Sequence, residues 1–170
     1  MDETFSPVVK PAMIRIVLSL AVSRAWLIHQ LDVKNAFLHR HLAETVYNTQ
    51  PAGFIDTARP WDVCRLNRSL YGLKQAPRAW FARFTLYLLS LGFAASKADS
   101  SLFSLHRSND TTYLLLYVDD IILTASTATF LESIISALHH EFSLTDMGSL
   151  HHFLGINVHH TPDALHLSQE

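Results

Sequence analysis

Little in this chain would tie it down covalently, charge it strongly or send it to a membrane. A single cysteine among 170 residues, Cys64, rules out an internal disulfide framework. It suits a reducing compartment and is expected as an ordinary core thiol. Charged residues make up only 16% of the chain and sum to −2, with a pI near 6.6. There is therefore no global basic field, and contact with nucleic acid would have to rest on a local patch or on parts outside this chain. The longest apolar stretch, residues 16–22, falls far short of the roughly 20 residues of a bilayer span and has Arg15 and Arg24 beside it. The acidic opening Met1-Asp2-Glu3 is unlike a secretory leader. The expectation is a soluble intracellular protein, cytoplasmic or nuclear, with no membrane partner and no targeting signal. The sequons at Asn67 and Asn109 carry little weight without a secretion signal.

Apolar content is present in quantity. At 49% of 170 residues it suffices for one real core and one domain, but not for two of ordinary size. Pro11 at a first helical position is followed by Ile14, Val17, Leu18, Ala21 and Val22 at three- and four-residue spacing. This predicts an amphipathic helix ending near Ala25. A strand over 27–33 follows, with Asp32 near its end, and then a polar surface excursion over 40–60. Trp80, Phe81, Phe84, Leu88 and Leu91 share one face of a helix over 77–91, bracketed by Pro77 and Gly92. Strand-like runs over 101–106 and 112–118 flank the turn residues Ser108-Asn109-Asp110, and a third, 121–125, follows Asp119-Asp120. Thr129 and Glu132 have capping-box spacing at the head of a helix over 129–142, and Gly148 stops that segment. The tail, 150–158 and 164–167 around Thr161-Pro162-Asp163, reads as a final hairpin. This order predicts an α+β fold in which helices cover one face of a largely antiparallel sheet.

Tyr117-Val118-Asp119-Asp120 needs a chemical explanation. Two adjacent carboxylates inside an apolar run are costly to desolvate unless a turn leaves them in water or a cation stays bound beside them. If the strand carrying Asp32 lies beside this hairpin, three carboxylates converge with no basic neighbour in sequence to neutralise them all. Hard oxygen donors of this kind suit Mg²⁺, which keeps several waters and binds through one or two carboxylates plus substrate phosphates. Phosphoryl transfer fits that chemistry. Asp32 alone reads more readily as a strand-end or turn aspartate than as a functional one. The 11 histidines, paired at 139–140, 151–152 and 159–160, do not argue for zinc. Adjacent strand residues point to opposite faces, and no Cys or His spacing of a recognised zinc site is present.

Four blocks taken together go further. Leu31-Asp32-Val33-Lys34-Asn35-Ala36-Phe37-Leu38, the run from Ser69 through Gly72-Leu73-Lys74-Gln75-Ala76-Pro77 to Trp80, Tyr117-Val118-Asp119-Asp120 and Phe153-Leu154-Gly155-Ile156 resemble, in order, blocks of copia-type retrotransposon reverse transcriptases. Glu3-Thr4-Phe5-Ser6-Pro7-Val8 precedes them and Gln50-Pro51-Ala52-Gly53-Phe54 falls between the first two, so the resemblance covers nearly the whole chain. It implies a polymerase palm-like sheet and an RNA-directed DNA polymerase. Such an enzyme adds deoxynucleotides to a primer 3′ hydroxyl with two Mg²⁺ ions, for which Mn²⁺ is an admissible substitute. The resemblance implies that Asp32 and Asp119 hold both ions, with Asp120 as the supporting carboxylate. Backbone amides near Asn35 and Ala36 would cradle the triphosphate. Phe37 would lie under the sugar and exclude a 2′ hydroxyl, and Gln75 would contact the nucleotide or the template base. Phe153, Leu154 and Gly155 would form a primer-grip hairpin, where glycine permits close backbone approach. Plainer roles stand beside these: Phe37 as a core ring, Gly155 at a strand bulge, Lys74 and Arg78 as solvated residues at a helix start. The implied partners are an RNA or DNA template with primer, deoxynucleoside triphosphates, and the remainder of a retroelement polyprotein.

Departures from the family pattern matter as well. Relative to it, residues 1–170 are expected to form a single reverse transcriptase domain fragment of partial fingers and palm. The upstream basic fingers strand, the thumb and ribonuclease H would be absent. Thr145 stands where copia-type sequences usually carry a lysine, a candidate proton donor to the leaving pyrophosphate. Asn48 and Thr49 replace a common Met and Glu, and Arg40 replaces a glycine. Two other readings stay open: a catalytically silent retroelement remnant, and a non-catalytic nucleic-acid-binding module, which the slightly acidic composition disfavours.

Overall fold

Strict alternation within β1 (Leu27–Val33) sends Leu31 and Val33 to one side of the strand and Ile28, Gln30 and Asp32 to the other. Apolar residues on both sides demand cover on both faces of the sheet. In the structure, a computed structural model that describes residues 9–36, 41–68, 76–161 and 165–169, β1 is an interior strand. It lies between β7 (Asp120–Ala125) and β8 (Leu144–Ser149). With β4 (Ala94–Ala95), β5 (Leu102–Arg107) and β6 (Asp110–Tyr117) these form a six-stranded antiparallel sheet of order β4-β5-β6-β7-β1-β8.

Leu31, Val33, Leu114, Leu116, Ile121 and Leu123 face α2 (Ala76–Ser90) and α3 (Ala128–Glu141), which bring Trp80, Phe84 and Leu88, and Leu131, Ile134 and Leu138, into one core. Tyr87 Oη donates to the Ala137 carbonyl at 2.7 Å and Arg83 meets Glu141 at 2.8 Å, tying the two helices together. The α+β class and the antiparallel sheet are as expected, but the helices do not all lie on one face. α1 (Pro11–Ser23) packs Ile14, Val17, Leu18 and Ala21 on the opposite face, against Ile28, Leu115 and Ile122. The reason is that β1, β6 and β7 carry apolar residues on both of their sides. Among the described residues no helix is long and apolar enough to cross a membrane.

α1 begins at Pro11, whose missing N–H costs nothing in a first turn. The preceding Lys10 N–H donates to the buried carboxylate of Asp99 at 3.3 Å. The helix stops two residues short of Ala25. Trp26 N–H bonds to the Ala21 carbonyl at 2.8 Å and Ala25 N–H to that of Val22 at 3.0 Å, a Schellman closure. That closure forces Ala25 to a φ of 53°, where a Cβ is disfavoured. Ala25→Gly is therefore expected to stabilise the chain by about 0.5–1 kcal/mol, visible as a higher urea midpoint at unchanged slope.

Other expectations need correction. The stretch over 40–60 is not a loose excursion throughout: β2 (His41–Thr49) pairs with β3 (Val63–Arg68) in a separate two-stranded sheet. Its residues lack clear alternation, so backbone pairing forms it without an apolar face to announce it. Cys64, on β3, is exposed rather than in the core. The N-cap of α3 is Thr127, not Thr129: its hydroxyl accepts from Phe130 N–H at 3.4 Å. Residues 144–149, read from the sequence only as the end of a helical segment, are the edge strand β8. The tail forms a three-stranded sheet of β9 (His152–Phe153), β10 (Ile156–His160) and β11 (Leu165–Gln169), one strand more than a hairpin. Pro162 and Asp163 lie outside the described residues.

Candidate active site

Register brings the site together. Tyr117 lies opposite Asp120, Asp120 opposite Asp32, and Asp32 opposite Thr145, giving one transverse row across β6, β7, β1 and β8. Directly opposed residues share a face, so this row lies on the side of the sheet that α1 covers further along. Tyr117, Asp120, Asp32 and Thr145 are all half-buried. Asp32 is next to the last residue of its strand, with a second acid, Asp120, opposite it on β7 and Thr145 opposite it on β8.

Between Tyr117 and Asp120 the chain reverses through Val118 and Asp119 alone. Two-residue hairpins need a positive φ at the first turn residue, and here Val118 adopts φ 56°. A β-branched residue is strained in that region. Two hydrogen bonds hold the turn: the Asp119 carbonyl accepts from Val33 N–H at 2.9 Å, and the Val118 carbonyl accepts from the Trp80 indole at 2.6 Å.

The electrostatics are unfavourable without a counter-charge. Burial, followed by the charges of Asp119 and Asp32, raises the pKa of Asp120 above the ordinary carboxylate value; a hydrogen bond with Gln30 and the nearby His152 act in the opposite sense. Among the described residues no three or more His, Cys, Asp or Glu side chains stand close enough to hold a metal ion as they are arranged here. The donor chemistry nevertheless fits Mg²⁺. Two carboxylates face one another across adjacent strands with a third in the adjoining turn, and the ion ordinarily takes only one or two protein carboxylates, completing its shell with water and phosphate.

Asn35 follows the acidic strand at φ 56°, a left-handed conformation that asparagine tolerates better than most residues, while Ala36 is buried in the core. Lys34 N–H, between them and Asp32, bonds to the Ser143 carbonyl at 2.8 Å. Phe37 and Gln75 lie outside the described residues. Phe153 pairs with Ile156, so Leu154 and Gly155 form a two-residue turn at φ 52° and 75°. Gly155 therefore sits in a tight turn rather than a strand bulge. Phe153 is buried in one cluster with Ile28, Leu115 and Ile122, against which Tyr117 packs, so this hairpin lies on the face of the sheet that carries the acidic row.

Sequence reasoning missed three participants at the site, Gln30, His152 and the indole of Trp80. Gln30 carried a usable signal, since it is two residues before Asp32 and so shares its face. Thr145 was singled out only by resemblance; its hydroxyl is buried with no hydrogen-bond partner. His152 and the indole of Trp80 reach the site from segments whose arrival no local pattern announces.

A family model described as reverse transcriptase (RNA-dependent DNA polymerase) matches residues 1–170. Over 98% of its length the chain is 53% identical to the retrovirus-related Pol polyprotein from transposon RE1 of Arabidopsis thaliana, of which it covers 11%. To that from transposon RE2 of the same plant it is 52% identical over 98% of its length, covering 12%. To that from transposon TNT 1-94 of Nicotiana tabacum it is 41% identical over 99%, covering 13%. The chain thus spans about a tenth of the length of these curated relatives. No solved structure matches it. With the family model matched from end to end, the chain belongs to the reverse transcriptase family, and is similar to the reverse transcriptase region of copia-type transposon Pol polyproteins.

Proposed function

We propose that this chain carries the metal-holding centre of an RNA-directed DNA polymerase that extends a primer with deoxynucleotides on an RNA or DNA template. The observation that supports this most is Asp32 opposite Asp120, with Asp119 in the adjoining two-residue turn. Such a juxtaposition of acids costs stability in the metal-free chain. A divalent cation with phosphate ligands is the partner that would offset it.

Two Mg²⁺ ions, when bound, supply activation of the primer 3′ hydroxyl and neutralisation of the triphosphate. In this reading Asp32 and Asp119 hold them and Asp120 supports the pair. The β1–β7 ladder maintains the spacing of the acids, since neither strand can shift without breaking six register pairs. Asn35 and Ala36 turn the backbone beyond Asp32 for the triphosphate, Phe37 excludes a 2′ hydroxyl, and Gln75 contacts the nucleotide or template base. Phe153, Leu154 and Gly155 present a tight turn to the primer backbone. The working protein would include further parts of a transposon polyprotein. A second reading, a folded chain without turnover, draws on Thr145: a threonine beside Asp32 cannot donate a proton as a lysine would.

Metal binding separates these readings from a purely structural role. At a Mg²⁺ or Mn²⁺ concentration about 100 times Kd, linkage stabilises by about 2.7 kcal/mol, or roughly 5–10 °C in Tm for a domain of this size. The expected result is such a shift in the wild type, absent after Asp119→Ala with Asp120→Ala, together with primer extension on a primed RNA template. A shift without extension selects the silent remnant. A wild-type Tm indifferent to both metals, with no extension, overturns the proposal.

A further inference from the structure

α2 places no side chain in the acidic row, yet it reaches the turn that carries Asp119 and leads into Asp120. Trp80 is 3% exposed and packs against Phe84 and Phe142 at centroid separations of 5.2 and 5.3 Å. Phenylalanine or leucine would serve such an apolar cluster. An indole brings an N–H whose burial without an acceptor is costly, and here the acceptor is the Val118 carbonyl. Val118 is the residue held at φ 56°.

A strained turn persists only where its surroundings over-determine it. Two-residue turns have a low-cost alternative, rotation of the central peptide plane, which interconverts the hairpin turn types. The Val118–Asp119 peptide is that central plane. The Trp80 bond holds its carbonyl, and the next carbonyl, of Asp119, is held by Val33 N–H from β1. Successive carbonyls are thus anchored by separate elements, one by α2 and one by the strand that carries Asp32.

We infer that Trp80 is a positioning residue for the acidic turn. Its indole hydrogen bond fixes the Val118–Asp119 peptide, and thereby aims the Asp119 and Asp120 carboxylates at the side of the sheet where Asp32 lies and sets their affinity for a divalent cation. The first half stands on the turn geometry alone; the second rests on the metal reading proposed above.

Trp80→Phe deletes the donor and keeps an aromatic ring. Phe84→Leu serves as the control, loosening the same cluster without touching the hydrogen bond. Amide hydrogen exchange reads the turn, and a Mn²⁺ titration reads the acids. Trp80→Phe is expected to speed exchange of the Val33 and Asp120 amides at least tenfold while amides of α2 and α3 keep wild-type protection, and to weaken Mn²⁺ binding about tenfold. Phe84→Leu is expected to leave both quantities within about twofold of wild type. Unchanged Val33 and Asp120 exchange in Trp80→Phe, or equal effects in both variants, overturns the inference. Faster exchange with unaltered Mn²⁺ affinity overturns its second half. Faster exchange in a protein whose wild type binds no Mn²⁺ sustains the positioning role and overturns the metal reading instead. If Trp80→Phe does not fold, the wild-type indole proton reports in its place. Its exchange should slow at least threefold on saturation with Mg²⁺, and no change overturns the inference.

Discussion

On the polymerase reading proposed above, replacing Asp119 and Asp120 together by alanine is expected to reduce primer extension by at least about 10³-fold, the scale of losing a principal electrostatic contributor to a charge-separating transition state. Folding should survive the change, and in the metal-free chain it should improve. Asp120 faces Asp32 across an antiparallel pair, and like charges so placed destabilise by roughly 0.2–1 kcal/mol. Asp120→Asn alone should therefore raise metal-free stability by a few tenths of a kcal/mol while removing activity. The pH dependence has a definite sign. Burial and the neighbouring acids raise the pKa of Asp120, so the folded chain holds this proton more tightly than the unfolded one. The associated stability is fully present below the ordinary aspartate pKa and is lost as pH rises through the raised value. Asn at this position removes that decline. Urea melts at paired pH values, with and without Mg²⁺, test both statements. An Asp120→Asn chain no more stable than wild type in the absence of metal would contradict the electrostatic account.

Phe84→Ala is expected to cost roughly 3–5 kcal/mol, a large part of the stability of an ordinary domain. Phe84 is fully buried, with Trp80 at 5.2 Å on one side and Phe142 at 5.0 Å on the other. Removing it leaves a cavity between α2 and the segment that links α3 to β8, where rigid rings from separate segments limit collapse. The expected readout is a fall in Tm of roughly 10 °C with a lower urea midpoint at unchanged slope. Any loss of activity should be no larger than the unfolded fraction accounts for. A cost below about 1 kcal/mol would mean that the rings close the gap.

Much of the fold was legible because helix and strand periods are local properties. Trp80, Phe84 and Leu88 lie one turn apart and are buried together, and the 3.6-residue stripe predicted that. The hairpins after Arg107 and Tyr117 were announced by short polar interruptions of apolar runs. β2 and β8 were not. In β8, Thr145, Asp146 and Gly148 carry no apolar alternation, and the strand exists because β1 offers an open edge with which to pair. The cap of α3 moved from Thr129 to Thr127 because Ser126 and Thr127 hydroxyls both donate to Asp110, a partner remote in sequence that determines where the helix begins.

By itself, the sequence determined that two adjacent carboxylates sit where one apolar strand turns into the next, that Asp32 lies near the end of another strand, and, through its ordered blocks, that the chain resembles reverse transcriptases. Those are matters of residue type and short spacing. Only the tertiary structure decided that Asp32 stands opposite Asp120 rather than one position away, that α1 takes the opposite face from α2 and α3, and that Trp80 reaches the Val118 carbonyl. The physical reason is that strand pairing has a period of two. A one-residue slip would turn Asp32 into the helix-covered core, and burial of Leu31 and Val33 together, settled across the whole sheet, is what forbids it.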